Sequence, residues 1–357
     1  MRALCLGGGL QGIEAVYLGK KAGWTMAVVD KNPRAPAIGL ADWSITANLM
    51  DLNIKNTIHL AAGFDLLIPT LEDEKIIERF TSLAQEQIIP PVTIDFKAYK
   101  ITSSKKKSKK IFKSLSLPMP ASFSDTESFG QYIIKPDNLS GSRGLKILDA
   151  QDVRRLYPTE KSRQGLVIEE YLSGPQYSVE VTARNGQAKS FQVTLLNFES
   201  AHDCYQVIAP SGLSPEREDK FGRMAELIAK KLSLTGIMDL EAIDSQGVLK
   251  LLEIDARFPS QTPTAIYYST GVNLLVEMVN CFIPVSSHNA VTTKAPKNVI
   301  FEHVHFQEGQ RRPPGEWVMT TMGPLSVVPG FMGAQEALVG GKPETGNYVA
   351  TLIRLFN

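Results

Sequence analysis

Six residues, GGGLQG (7–12), stand between a short apolar run, ALCL (3–6), and a stretch of helical character (13–21). A second apolar run, MAVV (26–29), ends in Asp30. Strand, glycine turn, helix, strand and acidic residue in that order constrain the start of the chain to a βαβ unit, hence to a parallel sheet with helices packed on it. The pattern G-x-G-x-x-G with a following acid is also the fingerprint of dinucleotide binding. One reading of the chain is therefore an NAD(P)-dependent dehydrogenase.

Strand and helix continue to alternate to about residue 95. FDLLIP (64–69) reads as a buried strand end. Residues 73–86 place Ile76, Ile77, Phe80 and Leu83 at the spacing of a helix that buries one face, and Pro90-Pro91 stops it. Residues 1–95 are expected to form a small Rossmann-like domain. Residues 96–117, FKAYKITSSKKKSKKIFKSLSL, read as one basic helical stretch, and a lysine run such as 105–110 is ordinarily a solvated face. After it come a strand, YIIKP (132–136), a polar glycine-containing loop, DNLSGSRG (137–144), and a second strand, LKIL (145–148). That outline is a phosphate-covering hairpin, but no G-K-[ST] follows, so it is not a Walker A loop. LVIEEYL (166–172) is a further strand, and in YSVEVTA (177–183) Ser178 and Glu180 share a face. Residues 216–232 have helical apolar spacing, and the chain is β-leaning from about residue 290.

Composition narrows the class. At 357 residues the chain is too long for one ordinary core, and 43% hydrophobic with 21% charged residues is globular. A formal net charge of +1 gives no global case for a nucleic-acid partner, and no apolar run approaches the ~18 residues of a membrane span. Three scattered cysteines, Cys5, Cys204 and Cys281, form no C-x-x-C pair, and the first residues read as a strand rather than a leader. A reduced, cytoplasmic protein is expected.

The chemistry concentrates in two late strands, GIMDLEAI (236–243) and LLEIDAR (251–257). Period-two alternation puts Asp239 and Glu241 on one face of the first, and Glu253, Asp255 and Arg257 on one face of the second. Folded about Ser245-Gln246-Gly247, the strands would gather four carboxylates and one arginine. Like charges so placed repel unless cations sit among them, and an all-oxygen donor set favours Mg²⁺. The bland alternative is the solvated outer face of an edge hairpin.

Taken in order, these parts resemble the ATP-grasp superfamily of carboxylate–amine ligases. The resemblance rests on Lys105, Lys135-Pro136, the loop at 140–144, Glu169-Glu170-Tyr171-Leu172, Ser178-Val179-Glu180, Glu241, and Glu253-x-Asp255-x-Arg257. The last is similar to the family's E-x-N-x-R metal motif, with Asp in place of Asn. CLGGGLQGIEA (5–15), GIMDLEAI and above all LLEIDARFPSQTPTAIYYSTGVNL (251–274) look like the ligases of pyrrolysine biosynthesis, a likeness that covers residues 1 to about 282.

The resemblance implies a mixed α/β and α+β fold: a Rossmann-like domain (1–95), a two-lobed grasp (96–290, with a lid at about 118–172) and a small β-rich region (291–357). It implies ATP with a pair of Mg²⁺ ions, and two amino-acid substrates: 3-methyl-D-ornithine or D-ornithine, and L-lysine. A homodimer is compatible with it. By position it implies Glu241, Glu253 and Asp255 as metal ligands. Lys105 and Lys135 would contact ATP, Glu169, Glu170, Tyr171 and Leu172 would line the adenine site, and Ser140, Ser142 and Arg143 would form part of the phosphate lid. Arg257 would stabilise an acyl phosphate and Asp239 would hold a substrate amine. Ser260, Gln261, Thr262 and the Leu10-Gln11 turn would line the amino-acid pocket, with Glu72 as a partner for a lysine ammonium. Gln176 stands where many relatives place a ribose-binding Glu, so either Glu180 takes that role or nucleotide affinity is modest. His303 and His305, two apart with no third ligand, read as structural. A non-catalytic nucleotide-binding regulator would have lost the metal acids, which are all present.

Overall fold

A computed structural model describes residues 1–124, 130–139, 144–199, 203–283, 295–312 and 315–356. The chain begins with β1 (Arg2–Leu6), α1 (Leu10–Lys21), β2 (Thr25–Asp30), β3 (Trp43–Thr46), α2 (Ile54–Ala61), β4 (Leu66–Pro69) and α3 (Glu74–Gln85). The four strands are parallel in the order β3-β2-β1-β4, with Cys5 between Val28 and Ile68. Both faces of β1, β2 and β4 are covered, which is why their sequences are unbroken apolar runs rather than alternating ones. Asp73 caps α3 by accepting from the N–H groups of Lys75 and Ile76, and Ile76, Ile77, Phe80 and Leu83 are buried as their spacing predicts.

The basic stretch is two helices, not one: α4 (Phe96–Thr102) and α5 (Lys105–Ser114). The break falls at Ser103-Ser104. Ser104 turns its hydroxyl to the Lys107 N–H and starts a new helix, the competition between short polar side chains and backbone that makes serine a cap rather than a helix interior residue.

A three-stranded antiparallel sheet follows, ordered β6-β5-β7, from β5 (Gln131–Pro136), β6 (Lys146–Asp149) and β7 (Leu166–Glu170), with α6 (Ala150–Leu156) on it. It has its own small core of Tyr132, Ile134, Ala150, Val153 and Ile168. The chain then enters a large sheet through β8 (Gln176–Arg184), β9 (Gln187–Ser190), β10 (Thr194–Phe198) and β11 (Cys204–Ala209). Helix α7 (Pro215–Leu232) packs on β8 and β9 and leads to the hairpin β12 (Gly236–Ser245) and β13 (Val248–Asp255). Helices α8 (Thr262–Thr270) and α9 (Leu274–Asn280) come next. They are followed by β14 (Asn298–Gln307), β15 (Gln310–Arg312), a 3₁₀ turn (Glu316–Thr320), β16 (Ser326–Pro329), β17 (Glu336–Lys342) and β18 (Asn347–Phe356).

These late strands do not form a sheet of their own. β14 pairs antiparallel with β11, so one sheet runs β13-β12-β8-β10-β11-β14-β18-β17-β16. One core likewise joins Ala3 and Cys5 to Ile237, Phe258, Phe301 and Ile353. Among the described residues no helix is long and apolar enough to cross a membrane.

Candidate active site

β12 and β13 meet in the register that the alternation requires, Asp239 opposite Asp255 and Glu241 opposite Glu253. The connection carries Gln246 at φ +53° and Gly247 at φ +83°, the left-handed pair of a tight hairpin turn. The hairpin is not a solvated outer face. Its acidic side floors a cavity of about 590 Å³, its apolar side (Leu240, Ala242, Leu251, Ile254) is buried, and α4 and α5 pack against β13.

Burial sets the electrostatics. The Glu241 carboxyl is pushed up to about 8 by desolvation, then by Glu253 and Asp255. Asp239 is raised well above the carboxylate range, by burial first and by Asp255 next, and its Oδ1 has no partner among the described residues. Burial would raise Glu253 as well, but Lys105, whose Nζ lies 3.0 Å away, and then Lys135 hold it below the usual range. Arg257 donates to Asp255 at 3.1 Å and pairs with Glu72 at 3.0 Å. Desolvation opposes its charge, but Asp255 and Glu72 keep it protonated.

As the side chains stand, no three His, Cys, Asp or Glu donors among the described residues close on one point. Glu253 is turned to Lys105 and Asp255 to Arg257. An all-carboxylate set in which Asp239, Glu241 and Asp255 are raised, with an orphaned Asp239 oxygen, nevertheless fits a hard divalent cation, which would relieve the repulsion that lysine and arginine now offset in part.

The lysine run is the largest correction to the sequence reading. Only part of 105–110 is solvated. Lys105 and Lys109, four apart and so on one face of α5, turn inward, whereas Lys106 and Lys110 are exposed. Lys109 and Lys135 both pair with Glu169, whose side chain is 1% exposed, with Lys135 at 3.0 Å. Desolvation lowers the Lys109 ammonium despite that partner. Glu170 pairs with Lys250 and accepts from the Ala121 N–H at 3.0 Å. Lys109 and Lys250 do not line the cavity but pair with two glutamates that do, partnerships that the sequence did not reveal. Tyr171, Leu172 and Gln176 line the same end of the cavity.

Lys105 also donates to the Leu139 carbonyl at 2.7 Å, at the entrance of the polar loop. Ser140, Ser142 and Arg143 lie outside the described residues. Glu180 does not line the cavity: it is fully buried beside the hairpin, the cross-strand partner of Asp239 on β8 and so on the same face of the sheet, and it accepts from Ser178 Oγ at 3.0 Å. Burial pushes its carboxyl to about 7. The ribose role considered for Glu180 is therefore not supported by its placement, whereas Gln176 is on the wall.

At the far end stand Arg257, Ser260, Gln261 and Thr262. Gln261 adopts φ +69°, ψ −58°, and the Thr262 N–H donates to the Ser260 carbonyl at 2.8 Å. This tight γ-turn is a conformation that a non-glycine residue adopts only under constraint. The constraint includes Glu316, which accepts from Ser260 Oγ at 2.9 Å and from Gln261 Nε2 at 2.8 Å. Glu316 went unnoticed in the sequence because it comes from the late β-rich region. Leu10 and Gln11 do not line this cavity. Leu10 packs on the core, and Gln11 donates to Glu72 at 3.1 Å. Glu72 lines a second pocket of about 240 Å³ shared with Lys105, Glu253, Asp255 and Arg257.

The glycine turn is explained without a nucleotide. The Asp30 carboxylate, which would hold a ribose, accepts instead from the N–H groups of Gly8 at 2.7 Å and Asn32 at 2.8 Å. A Cβ on Gly12 would lie 2.5 Å from the Gly7 carbonyl oxygen. The turn presents α1, whose buried Glu14 accepts from the Thr264 N–H at 3.1 Å and from its hydroxyl, and so fixes the start of α8 beside the γ-turn. His303 is buried against Thr351 Oγ1 at 2.8 Å, and burial pushes it down to about 3, so it is a neutral core residue.

Fold and site together define an ATP-grasp enzyme, a carboxylate–amine ligase. A family model described as ATP-grasp domain matches residues 102–261. The fold is that of N5-carboxyaminoimidazole ribonucleotide synthetase from Thermus thermophilus (TM-score 0.70, 16% identity, 99% of this chain and 94% of that one). It is also that of biotin carboxylase from Campylobacter jejuni (TM-score 0.72, 14% identity, 99% and 87%). In sequence the chain is 36% identical over 323 residues to 3-methyl-D-ornithine–L-lysine ligase of Methanosarcina mazei, covering 90% of this chain and 82% of that one. It is 37% identical over 324 residues to the Methanosarcina barkeri enzyme of the same name, covering 90% and 84%. The chain belongs to this family of 3-methyl-D-ornithine–L-lysine ligases. The similarity covers 90% of the chain and so runs past residue 282, further than the sequence motifs alone carried it.

Proposed function

We propose that the enzyme joins the carboxylate of (3R)-3-methyl-D-ornithine to the ε-amine of L-lysine in pyrrolysine biosynthesis, with ATP as phosphoryl donor, in the cytoplasm. The observation that carries the reading is one cavity with buried lysines on one wall, four carboxylates on the floor and Arg257 where the floor ends. The names of the relatives supply the substrates.

A carboxylate is a poor electrophile, so it is activated first. One of its oxygens takes the γ-phosphoryl group, the bond to the β-phosphate oxygen breaks, and ADP leaves. The neutral ε-amine then attacks the acyl carbon, a C–N bond forms, the C–O bond to phosphate breaks, and the departing phosphate takes up the proton that the amine nitrogen loses. Holding the two amino acids side by side supplies much of the remaining rate.

Lys105 and Lys135 would exchange Glu253 and Glu169 for phosphate oxygens. Glu241, Glu253 and Asp255 would hold a pair of Mg²⁺ ions, which when bound neutralise charge on the transferring phosphoryl group. Arg257, already charged and aimed by Glu72, would stabilise the acyl phosphate. Gln11 steadies Glu72 from behind. Asp239 would receive a substrate amine, Ser260, Gln261 and Thr262 would line the amino-acid pocket, and Tyr171, Leu172 and Gln176 the nucleoside.

The test is ADP release with Mg²⁺ and ATP, given D-ornithine or 3-methyl-D-ornithine plus L-lysine, with mass spectrometry for the amide. Amide that requires both amino acids supports the reading. ADP release without amide would overturn the substrates and leave the nucleotide site standing.

A further inference from the structure

The lysine wall of the cavity carries one more cation than its lining shows. Lys135 and Glu169 both line the cavity, from the adjacent strands β5 and β7. Lys109 is not part of the lining, and its ammonium is buried. Both lysines nevertheless pair with the one carboxylate, Lys135 on Oε1 at 3.0 Å and Lys109 on Oε2. Among the described residues no other group hydrogen-bonds to either oxygen of Glu169. Burial opposes the charge of Glu169, and Lys135 and then Lys109 outweigh it and hold the carboxyl below its usual range.

The extra cation has a use once Lys135 moves. A carboxylate whose side chain is 1% exposed cannot be left without a cation, because a buried charge stripped of its partner is strongly destabilising. With Lys135 as its sole partner, Glu169 would compete with phosphate oxygens for the same ammonium. A second cation, already in place behind the wall, would end that competition. The other cavity-facing lysine has a different remedy. Lys105 would leave Glu253, whose side chain is 30% exposed and which belongs to the carboxylate set suited to a divalent cation. Glu169 belongs to the small sheet, outside that set, so its compensation has to come from the protein. Helix α5 carries both lysines, Lys105 and Lys109, four residues apart on one face.

We propose that Lys109 is a positioning residue for nucleotide binding: it keeps Glu169 neutralised from behind the cavity wall and so frees Lys135 for the phosphates of a nucleoside triphosphate. The inference rests on the ATP-dependent reading above and adds to it a residue that does not touch the nucleotide.

Calorimetry on the full chain with Mg²⁺ and a non-hydrolysable ATP analogue tests this, with adenosine as the ligand that lacks phosphates. Lys109→Met is expected to weaken the analogue roughly 10- to 100-fold, the value of one charge-assisted hydrogen bond. Adenosine affinity should be unchanged, which also reports that the variant is folded. Lys109→Arg, which keeps the charge, should bind the analogue more tightly than Lys109→Met does. In a Glu169→Gln background no buried charge needs a cation, so adding Lys109→Met should cost nothing further, and the coupling between the two positions accounts for the whole effect. If Lys109→Met does not fold, Lys109→Gln, which still donates to Glu169 but carries no charge, is expected to show the same loss. Unchanged analogue affinity in the folded variant overturns the proposal. So does an equal loss for adenosine, which would make Lys109 a scaffold for the nucleoside end. A loss that persists in full in the Glu169→Gln background also overturns it, because Lys109 would then act on the phosphates directly. If wild type binds no analogue, the ATP-dependent reading is wrong and this inference falls with it.

Discussion

Glu253 stands where the proposed metal site, a lysine and the β12–β13 register converge, so its removal separates chemistry from folding. Glu253→Ala is expected to cut ADP formation at least ~100-fold, as loss of a group that stabilises phosphoryl-transfer charge does. Stability should change by no more than about 1 kcal/mol, because Lys105 loses a half-exposed partner while Glu241 loses a repulsive neighbour. Near-normal turnover would remove Glu253 from the metal site. Glu14 gives the pH dependence. Burial raises its carboxyl to about 7, against hydrogen bonds from Thr264 that favour the charge. The native state therefore holds a proton that the unfolded chain releases near pH 4.5. This residue's contribution falls as pH rises from about 4.5 to 7, by about 1.4 kcal/mol for each pH unit crossed, and is flat above. Glu14→Gln should flatten that part of the denaturant-midpoint profile, and an unchanged slope would mean that Glu14 ionises as freely as in water. At this scale the sequence was most legible where alternation decides: Asp239, Glu241, Glu253 and Asp255 share a face because a strand repeats every two residues. It was silent where partners are distant. Nothing local marks Lys109 as the partner of Glu169, or Glu316 as the partner of Gln261, and a lysine run looks the same whether one or both of its faces meet water.

Elements read well where apolar periodicity was clean, as in α3, α7 and the strands β1, β2, β12 and β13. They read poorly where a cap overrode composition, as at Ser103-Ser104. Caps and turns are also where single substitutions should tell most at this scale. Asp137 accepts from Ser104 Oγ at 3.1 Å and from the Lys106 N–H at 2.8 Å, so it fastens the entrance of the polar loop to the start of α5, beside Lys105. Asp137→Ala should cost about 1 kcal/mol, the value of a helix cap, and should raise the KM for ATP more than it lowers kcat. A variant with altered stability and unaltered ATP dependence would show that α5 and the loop act independently. The glycine turn makes the opposite case, a motif whose geometry is legible and whose usual function misleads. Gly12→Ala should lower stability by about 1–3 kcal/mol through overpacking against the Gly7 carbonyl. Wild type should show no enhancement of NADH fluorescence, because Asp30 is already spent on Gly8 and Asn32. Saturable enhancement would restore a nucleotide site at the turn.

At the scale of the whole molecule the question is whether the late strands are an accessory or part of the frame. Motifs cannot answer it, because β14–β18 carry apolar residues and turns but little that marks where they dock. Docked, they complete the site: the turn after β15 delivers Glu316, and β17 delivers Glu336 to a cluster in which Tyr17 of α1 and Tyr268 of α8 both donate to Glu336 Oε2, Tyr268 at 2.7 Å, with Lys21 paired at 2.8 Å. One half-buried cluster thus ties together the first helix, the helix after the acidic hairpin and the late sheet. A chain ending at residue 283 would lose Val299, Phe301, Leu338, Val349 and Ile353 from the core that contains Ala3 and Cys5. It would also leave β11 as a bare edge with Val207 and Ala209 uncovered, and an apolar edge strand templates aggregation. The truncated chain is therefore expected to be insoluble or to unfold without a cooperative transition, whereas the full chain should melt with its tryptophan fluorescence and far-ultraviolet dichroism coincident. A soluble, monomeric, cooperatively folding fragment would show that the late strands are an appended layer, and that Glu316 meets Ser260 and Gln261 only after the rest of the cavity is built.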